Sequence, residues 1–356
     1  MRIGIYDPYL DDLGGGEKYM MTLASCLAKH HKVSVFWDNK EDVNKVQERF
    51  SIDFENLSIV KNIFASNISF NQRLYATSKY DVLIVLSDGS IPFTLAKKLI
   101  LHIQQPLQKP LLKSWKNKLK LMRVSSVFYN SRFTMHYNKD SLSGVKNGII
   151  YPPVSVLHDN SPKENIILHV GRFRLINGKT DDYKKQQVMI SAFKLLIDNG
   201  LKEWKFIIAT SIHNRNDPQF KCMQQSADGY PIEFQINKSN QTLWEIYNKA
   251  KIYWHASGYG EDLRAHPEYA EHFGISTVEA MGAGAVPIVI SAGGQKEIIT
   301  DGVNGLLWES LEDLQAHTLK VIKSDKLFTK LSIEAQHRAR DFSYEAFCKR
   351  VNGLIT

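Results

Sequence analysis

The stretch RIGIYDPYLDDLGGGEKYMMTLASCLAKHHKVSVFW, residues 2–37, decides the fold. Arg2 to Tyr6 is a short apolar run and reads as a buried strand. A glycine-rich turn follows. Glu17 to Ala28 then sets Tyr19, Met20, Leu23, Cys26 and Leu27 at helical spacing. Val33 to Trp37 reads as a second strand. Strand, glycine loop, helix and strand in that order open a doubly wound parallel sheet. Tyr80 to Leu86, Leu99 to Ile103 and Ser126 to Tyr129 supply further strands, and the proline pair in Gly148 to Val154 marks the exit from a first domain.

The pattern then restarts. Asn165 to Val170 is a buried strand ending at Gly171, and Gln187 to Asp198 is amphipathic. Lys205 to Ala209, Ile232 to Ile236, Ile252 to His255 and Val286 to Ile290 read as strands, with helices at Gln241 to Ala250 and Ile275 to Met281. Phe342 to Leu354 is a separate helical stretch. Two successive α/β units imply two Rossmann-like domains, 1–157 and 158–340, followed by a terminal helix, 341–356. Ligands of such sheets bind beyond the carboxyl ends of the strands.

Composition sets bounds on function. The 356 residues are 43% apolar and 23% charged, with a net charge of +8. That describes a globular protein suited to an anionic partner such as a nucleotide diphosphate or anionic lipid. No RNA- or DNA-binding signature accompanies the charge, so nucleic acid is not an expected partner. No run is long and apolar enough to span a bilayer, and MRIGIYDPYL has no signal core, so a cytoplasmic protein is expected. Cys26, Cys222 and Cys348 lack CxxC spacing and are odd in number. They read as small buried hydrophobes, not as a disulfide framework or a thiolate metal site.

The chemistry concentrates in Glu271-His-Phe-Gly-Ile-Ser-Thr-Val-Glu279-Ala-Met-Gly-Ala-Gly-Ala-Val-Pro287. Glu271 precedes a helix and Glu279 lies on it, about 7 Å along the axis from Gly274. Backbone N–H groups at that helix start, around Phe273, Gly274, Ile275 and Ser276, suit a diphosphate. A carboxylate on either side can accept hydroxyls, from a sugar at one end and a ribose at the other. By spacing alone, two solvated glutamates on a surface helix fit equally well.

The neighbouring residues resolve that tie. The stretch resembles the E-x7-E motif of retaining glycosyltransferase family 4, and the likeness continues through Gly293-Gly294-x-x-Glu297 and Asp301-Gly-x-Asn-Gly305. Gly171-Arg172 followed by Lys184 resembles the family's Gly-Arg…Lys signature, interrupted here by an insertion, Phe173 to Tyr183, and blurred by the adjacent Lys185. Gly14-Gly15-Gly16-Glu17 resembles its glycine-rich donor loop. A nicotinamide-binding G-x-G-x-x-G fails there, because Tyr19 stands at the third glycine. Asn130 to Thr134, Tyr151 to Val154 and Phe342 to Phe347 also resemble family segments. Within the family the chain is similar to GDP-mannose-dependent α-1,2-mannosyltransferases of lipid-linked oligosaccharide assembly.

The resemblance implies a GT-B enzyme: two Rossmann-like domains facing a cleft, with the terminal helix crossing back to the first domain. It implies a nucleotide-diphosphate sugar as donor, a glycan or lipid-linked acceptor, and retention of the anomeric configuration. It gives Arg172 and Lys184 to the pyrophosphate, Glu271 to the donor sugar, Glu279 to the ribose, and Gly15 and Gly16 to close donor approach. Relatives often place a histidine where Leu101-His-Ile-Gln-Gln-Pro106 has Gln104. Gln104 can hydrogen-bond a hydroxyl but cannot act as a base, and His102, two residues earlier, is the substitute candidate. His255 reads instead as a core histidine at a strand end. Base recognition is expected near Glu233 to Asn237. No cofactor and no metal are expected, since no D-x-D lies in an apolar run.

Two rival readings keep the fold: an inverting transferase or epimerase, and a non-catalytic sugar-nucleotide-binding protein, which the Gln104 departure favours. The segment 109–123, KPLLKSWKNKLKLMR, carries six cations and no acid, with Leu112, Trp115, Leu119 and Met122 at helical spacing. It reads either as a basic amphipathic helix lying on an anionic membrane, at the inner face, or as a surface helix packing its stripe on the first domain.

Overall fold

The computed structural model describes residues 1–12, 14–50, 52, 54–107, 115–159, 161–176 and 179–355, with the side chains of 115–117, 174–176 and 179–181 excepted. The chain divides into two compact units, Met1–Pro153 with Tyr344–Thr356, and Val154–Ser343.

Unit 1 holds a parallel sheet of β1 (Arg2–Tyr6), β2 (Lys32–Phe36), β3 (Leu57–Val60), β4 (Val82–Leu86), β5 (Lys98–Ile103), β6 (Val124–Tyr129) and β7 (Lys146–Ile149). Their order is β3-β2-β1-β4-β5-β6-β7. Every residue of β4 is buried, because a parallel sheet is covered on both faces. One face packs on α1 (Gly15–Ala28) and α2 (Lys40–Phe50) through Ile3, Ile5, Val33 and Val35. The other packs around Phe36, Leu83, Val85, Ile91 and Leu101. The remaining helices are short: α3 (Phe70–Thr77), α4 (Trp115–Leu121) and α5 (Arg132–Asn138). Ser69 starts α3 and Ser131 starts α5, each accepting a backbone N–H of the first turn.

Unit 2 holds a parallel sheet of six strands, β8 (Glu164–Arg172), β11 (Lys205–Ser211), β12 (Ile232–Ile236), β13 (Ala250–His255), β14 (Val286–Ile290) and β15 (Leu306–Trp308), in the order β12-β11-β8-β13-β14-β15. A small antiparallel hairpin, β9 (Arg174–Ile176) and β10 (Lys179–Asp181), lies outside it. That hairpin is the insertion between Arg172 and Lys184. The helices are α6 (Gln186–Asp198), α7 (Pro218–Ser226), α8 (Asn240–Lys249), α9 (Ile275–Gly282), α10 (Gln295–Ile298), α11 (Leu311–Ile322) and α12 (Asp325–Ala339). Buried Phe193, Phe206 and Trp254 centre the core, and Trp254 Nε1 donates to Thr318 Oγ1 at 3.1 Å.

The final helix, α13 (Tyr344–Ile355), belongs to unit 1, where Phe347, Val351 and Ile355 pack with α1. Here the cysteine expectation is corrected: Cys26 on α1 and Cys348 on α13 form a disulfide across 322 residues of sequence, and Cys222 is exposed, not buried. No spacing rule could have paired them, since only docking of the two helices makes them neighbours. Among the described residues no helix is long and apolar enough to cross a membrane.

Candidate active site

In each sheet the strand order reverses beside the first strand, between β8 and β13 in unit 2 and between β1 and β4 in unit 1. Loops leave in opposite directions at such a switch point and open a crevice at the carboxyl edge. In unit 2, β8 ends in Gly171-Arg172 and β13 ends in His255 at this edge.

Glu271 lies there, in the segment before α9. Its Oε2 accepts Lys184 Nζ at 2.6 Å and His255 Nε2 at 3.0 Å. Burial alone would raise the Glu271 carboxyl, but the Lys184 ammonium and the His255 N–H outweigh it and hold the group well below the usual carboxylate range. Burial lowers His255, so the ring is neutral and donates from Nε2. Its Nδ1 is then an acceptor, buried without a hydrogen-bond partner. His169, on β8, is also fully buried, with Nδ1 donating to Trp254 O at 3.0 Å and Nε2 left without a partner.

Gly171 makes room for this arrangement. A Cβ there would stand 2.8 Å from His169 Nε2 and 2.9 Å from Lys184 Cγ. The two adjacent lysines separate cleanly, Lys184 to Glu271 and Lys185 to Glu261. Lys185 has a φ of 56°, in the left-handed region, at the N-cap of α6. The insertion supports the same loop, since Tyr183 Oη donates to the carbonyls of Glu268 and Ala270.

Helix α9 starts at Gly274, whose φ of 121° is barred to other residues and whose Cβ would lie 2.8 Å from Gln295 Nε2. Gly294 N–H donates to Glu271 O at 2.7 Å, and a Cβ at Gly293 would meet that oxygen at 2.3 Å. The glycine pair therefore lets its loop clamp the Glu271 backbone. Ile275 and Ser276 form the first turn of α9, with Ser276 Oγ 2.8 Å from Tyr253 Oη. Phe273 is buried. Glu279, one face along, accepts the Tyr247 hydroxyl at 3.0 Å on Oε2.

The unit 1 candidates divide differently. Gln104 lies over the glycine loop, with Nε2 donating to Gly16 O at 3.4 Å. Gly15 and Gly16 open α1, and Glu17 folds back so that Oε2 accepts Gly14 N–H at 2.5 Å. His102 requires a correction. It is fully buried, stacked on Tyr19 and Phe128 at 4.2 and 4.3 Å, with Nδ1 donating to Phe128 O at 3.2 Å. Its Nε2 has no hydrogen-bond partner among the described residues. Burial lowers it to about 3, so it stays neutral.

His255 is buried at the end of β13, as expected of a core histidine at a strand end, and it is in addition the hydrogen-bond partner of Glu271. What the sequence left open is that this strand end lies beside the switch point, next to Glu271. Asp7, at the end of β1, was also passed over; it is buried, Oδ1 accepts Tyr9 N–H, Oδ2 has no partner, and burial followed by repulsion from Glu17 raises it to about 7. At the expected base-recognition stretch, Asn237 bonds both N–H and carbonyl of Ile212 at 2.9 Å.

Residues 158–338, half of the chain, match the family model described as glycosyl transferases group 1. The chain belongs to that family. It is 24% identical to an alpha-1,3/1,6-mannosyltransferase of Dictyostelium discoideum, over 65% of this chain and 61% of the relative. It is 27% identical to the human GDP-Man:Man(3)GlcNAc(2)-PP-Dol alpha-1,2-mannosyltransferase, over 81% of this chain and 55% of that one. The chain thus spans little more than half the length of these curated relatives. A Campylobacter jejuni alpha-1,4-N-acetyl-D-galactosaminyltransferase acting on an undecaprenol-linked glycan is 25% identical over 92% of this chain and 91% of its own. Among solved structures, Anabaena HepE in complex with UDP-glucose covers the whole chain with a TM-score of 0.72 at 17% identity. A Rickettsia africae glycosyltransferase gives 0.74 at 17% over 99%. These likenesses show the GT-B fold of two Rossmann-like domains.

Proposed function

We propose that the chain transfers a sugar, mannose from GDP-mannose, to a hydroxyl of a glycan or lipid-linked acceptor with retention of configuration. The observation that carries this reading is the Lys184–Glu271–His255 cluster at the switch point of unit 2. Both contacts to Glu271 fall on Oε2, so Oε1 is the atom offered to donor-sugar hydroxyls. Glu279, braced by Tyr247, is offered to the ribose. The N–H groups of Gly274, Ile275 and Ser276, with Arg172 and Lys184, take the diphosphate.

In the step itself the acceptor oxygen attacks C1 on the face from which the leaving group departs. The bond from C1 to the phosphate oxygen breaks, the bond to the acceptor oxygen forms, and the acceptor proton passes to the departing phosphate oxygen. Negative charge grows on the diphosphate, where fixed cations and N–H dipoles stabilise it most. No enzymic base is required, which accommodates both Gln104 and the burial of His102. The cationic pair supplies the charge that a metal ion would otherwise bring, so transfer is expected to survive chelation.

The mannosyl reading rests on relatives named for GDP-mannose, and acceptors named as PP-Dol and PP-undecaprenol among the relatives support a lipid-linked one. A second reading, a UDP-sugar donor, draws support from the Anabaena structure holding UDP-glucose. Thermal stabilisation by GDP-mannose, UDP-glucose and UDP-N-acetylgalactosamine separates them. A donor at 100 times its Kd adds about 2.7 kcal/mol, and Glu279→Ala should abolish the shift. A β-linked product by NMR would overturn retention. No shift with any donor would favour the non-catalytic reading.

A further inference from the structure

We propose that unit 1 carries a membrane-docking face, built by α3, the 90–97 loop and α4, which seats on an anionic lipid surface. This inference does not depend on the identity of the donor. The sequence indicated only the stretch 109–123; residues 108–114 and the side chains of 115–117 lie outside the described residues. Of the stripe, Leu119 and Met122 have described side chains. Leu119 is 49% exposed and Met122 82% exposed, which removes the alternative that these two residues cover the sheet.

The structure adds partners that no spacing in 109–123 indicated. Phe70 and Tyr75 on α3 and Phe93 and Leu95 on the loop are also exposed. Phe70 and Phe93 meet edge to face with centroids 5.7 Å apart. Lys120 Nζ stands 5.0 Å from the Phe93 ring centroid, which brings α4 onto the same loop. The loop is held on both sides: Leu95 N–H donates to Thr77 Oγ1 at 3.1 Å, and Arg123 Nη2 donates to Ala96 O at 3.0 Å. Phe70, Phe93 and Lys120, from three segments remote in sequence, thus meet at one place.

Cations predominate on these segments, with Asp81 and Asp88 at their borders. No acidic residue occurs between Glu55 and Asp81, or between Asp88 and Asp140. Asp81 itself is engaged by Lys97 at 2.7 Å and by Arg2 N–H at 2.8 Å. Lys79 lies 4.5 Å from the Tyr75 ring centroid, and Lys118 is exposed on α4. Exposed aromatic and aliphatic side chains ringed by cations match the boundary between lipid headgroups and acyl chains. The aliphatic members, Leu95, Leu119 and Met122, have nothing to gain from a nucleic-acid backbone. This difference selects lipid among anionic partners.

Co-sedimentation of the full chain with vesicles tests the proposal. One set is phosphatidylcholine alone; the other has roughly one lipid in three replaced by phosphatidylglycerol. The wild type should sediment with the anionic vesicles and not with the neutral ones. Lys79→Gln, Lys118→Gln and Lys120→Gln combined should lower the partition coefficient roughly a hundredfold, each cation near an anionic surface contributing about fivefold. Phe70→Ser with Met122→Ser should lower it at least tenfold on the same vesicles, with an unchanged thermal unfolding midpoint. Absence of sedimentation with either vesicle overturns the proposal, as does sedimentation that neither variant alters. Dimerisation of the wild type that Phe70→Ser with Met122→Ser abolishes, without vesicle binding, would assign the face to a second copy and overturn it equally.

Discussion

His102 and His255 occupy equivalent places, each at or near the carboxyl end of a parallel strand and each wholly buried, yet they serve opposite purposes. His102 is one ring in an aromatic column in which Phe347 meets Tyr19 edge-on at 5.0 Å, Tyr19 stacks on His102, and His102 stacks on Phe128. That column runs beside the Cys26–Cys348 link, so the unit 1 histidine sits where α13 is fastened to α1. His255 instead meets Glu271 and lies in electrostatic reach of Lys184. The same side chain is packing material in one unit and the brace of a charged site in the other. What differs is the partner that tertiary contact brings to the ring, not its burial.

The largest expected effect comes from removing the cation on the His255 side. Lys184→Met should lower kcat by roughly 10²–10³-fold, about 3–4 kcal/mol of lost charge stabilisation, while Lys185→Met, whose ammonium pairs with Glu261, should stay near wild type. Steady-state transfer assays of the two variants decide it; equal losses would blur the distinction drawn between the lysines. On the His102 side, Cys348→Ser should cost about 2–4 kcal/mol in denaturant unfolding with donor affinity unchanged. Weakened donor binding would mean that the two regions are less separate than their contacts indicate.

Paired histidine replacements probe the contrast directly. His255→Phe removes a charge-assisted hydrogen bond to Glu271 and should reduce kcat about tenfold or more, consistent with about 1.5–3 kcal/mol. His102→Phe keeps the stacked column, loses one hydrogen bond, and should cost about 1 kcal/mol of stability with kcat intact. A reversed outcome would exchange the roles assigned to the two rings.

The smallest effect is in pH dependence. Burial holds His102 and His169 at about 3, far below the unfolded value of about 6.5. Below about pH 6.5 the unfolded chain therefore binds protons that the folded chain refuses, and stability falls as pH falls. Each ring contributes a slope of up to about 1.4 kcal/mol per pH unit. Melting curves of wild type and His102→Phe between about pH 7 and 5 should diverge, the variant losing less stability on acidification.

Much of this protein was legible before any coordinates. Alternating apolar runs and glycine punctuation encode a strand–loop–helix fold locally, because burial of a parallel strand demands continuous apolar residues and a left-handed turn demands glycine. The segment around Glu271, Gly274 and Glu279 stood out through its resemblance to a family motif, since spacing alone left a solvated surface helix equally good. The strands β3 and β7 escaped notice because they are short, and no residue in either is fully buried, so neither reads as an apolar run. The neighbours of each histidine, the choice between Lys184 and Lys185, the pairing of Cys26 with Cys348, and the meeting of Phe70, Phe93 and Lys120 were decided only by the tertiary structure. Each joins segments distant in the chain, and sequence spacing carries no information about which side chains chain folding will place within hydrogen-bond or van der Waals reach.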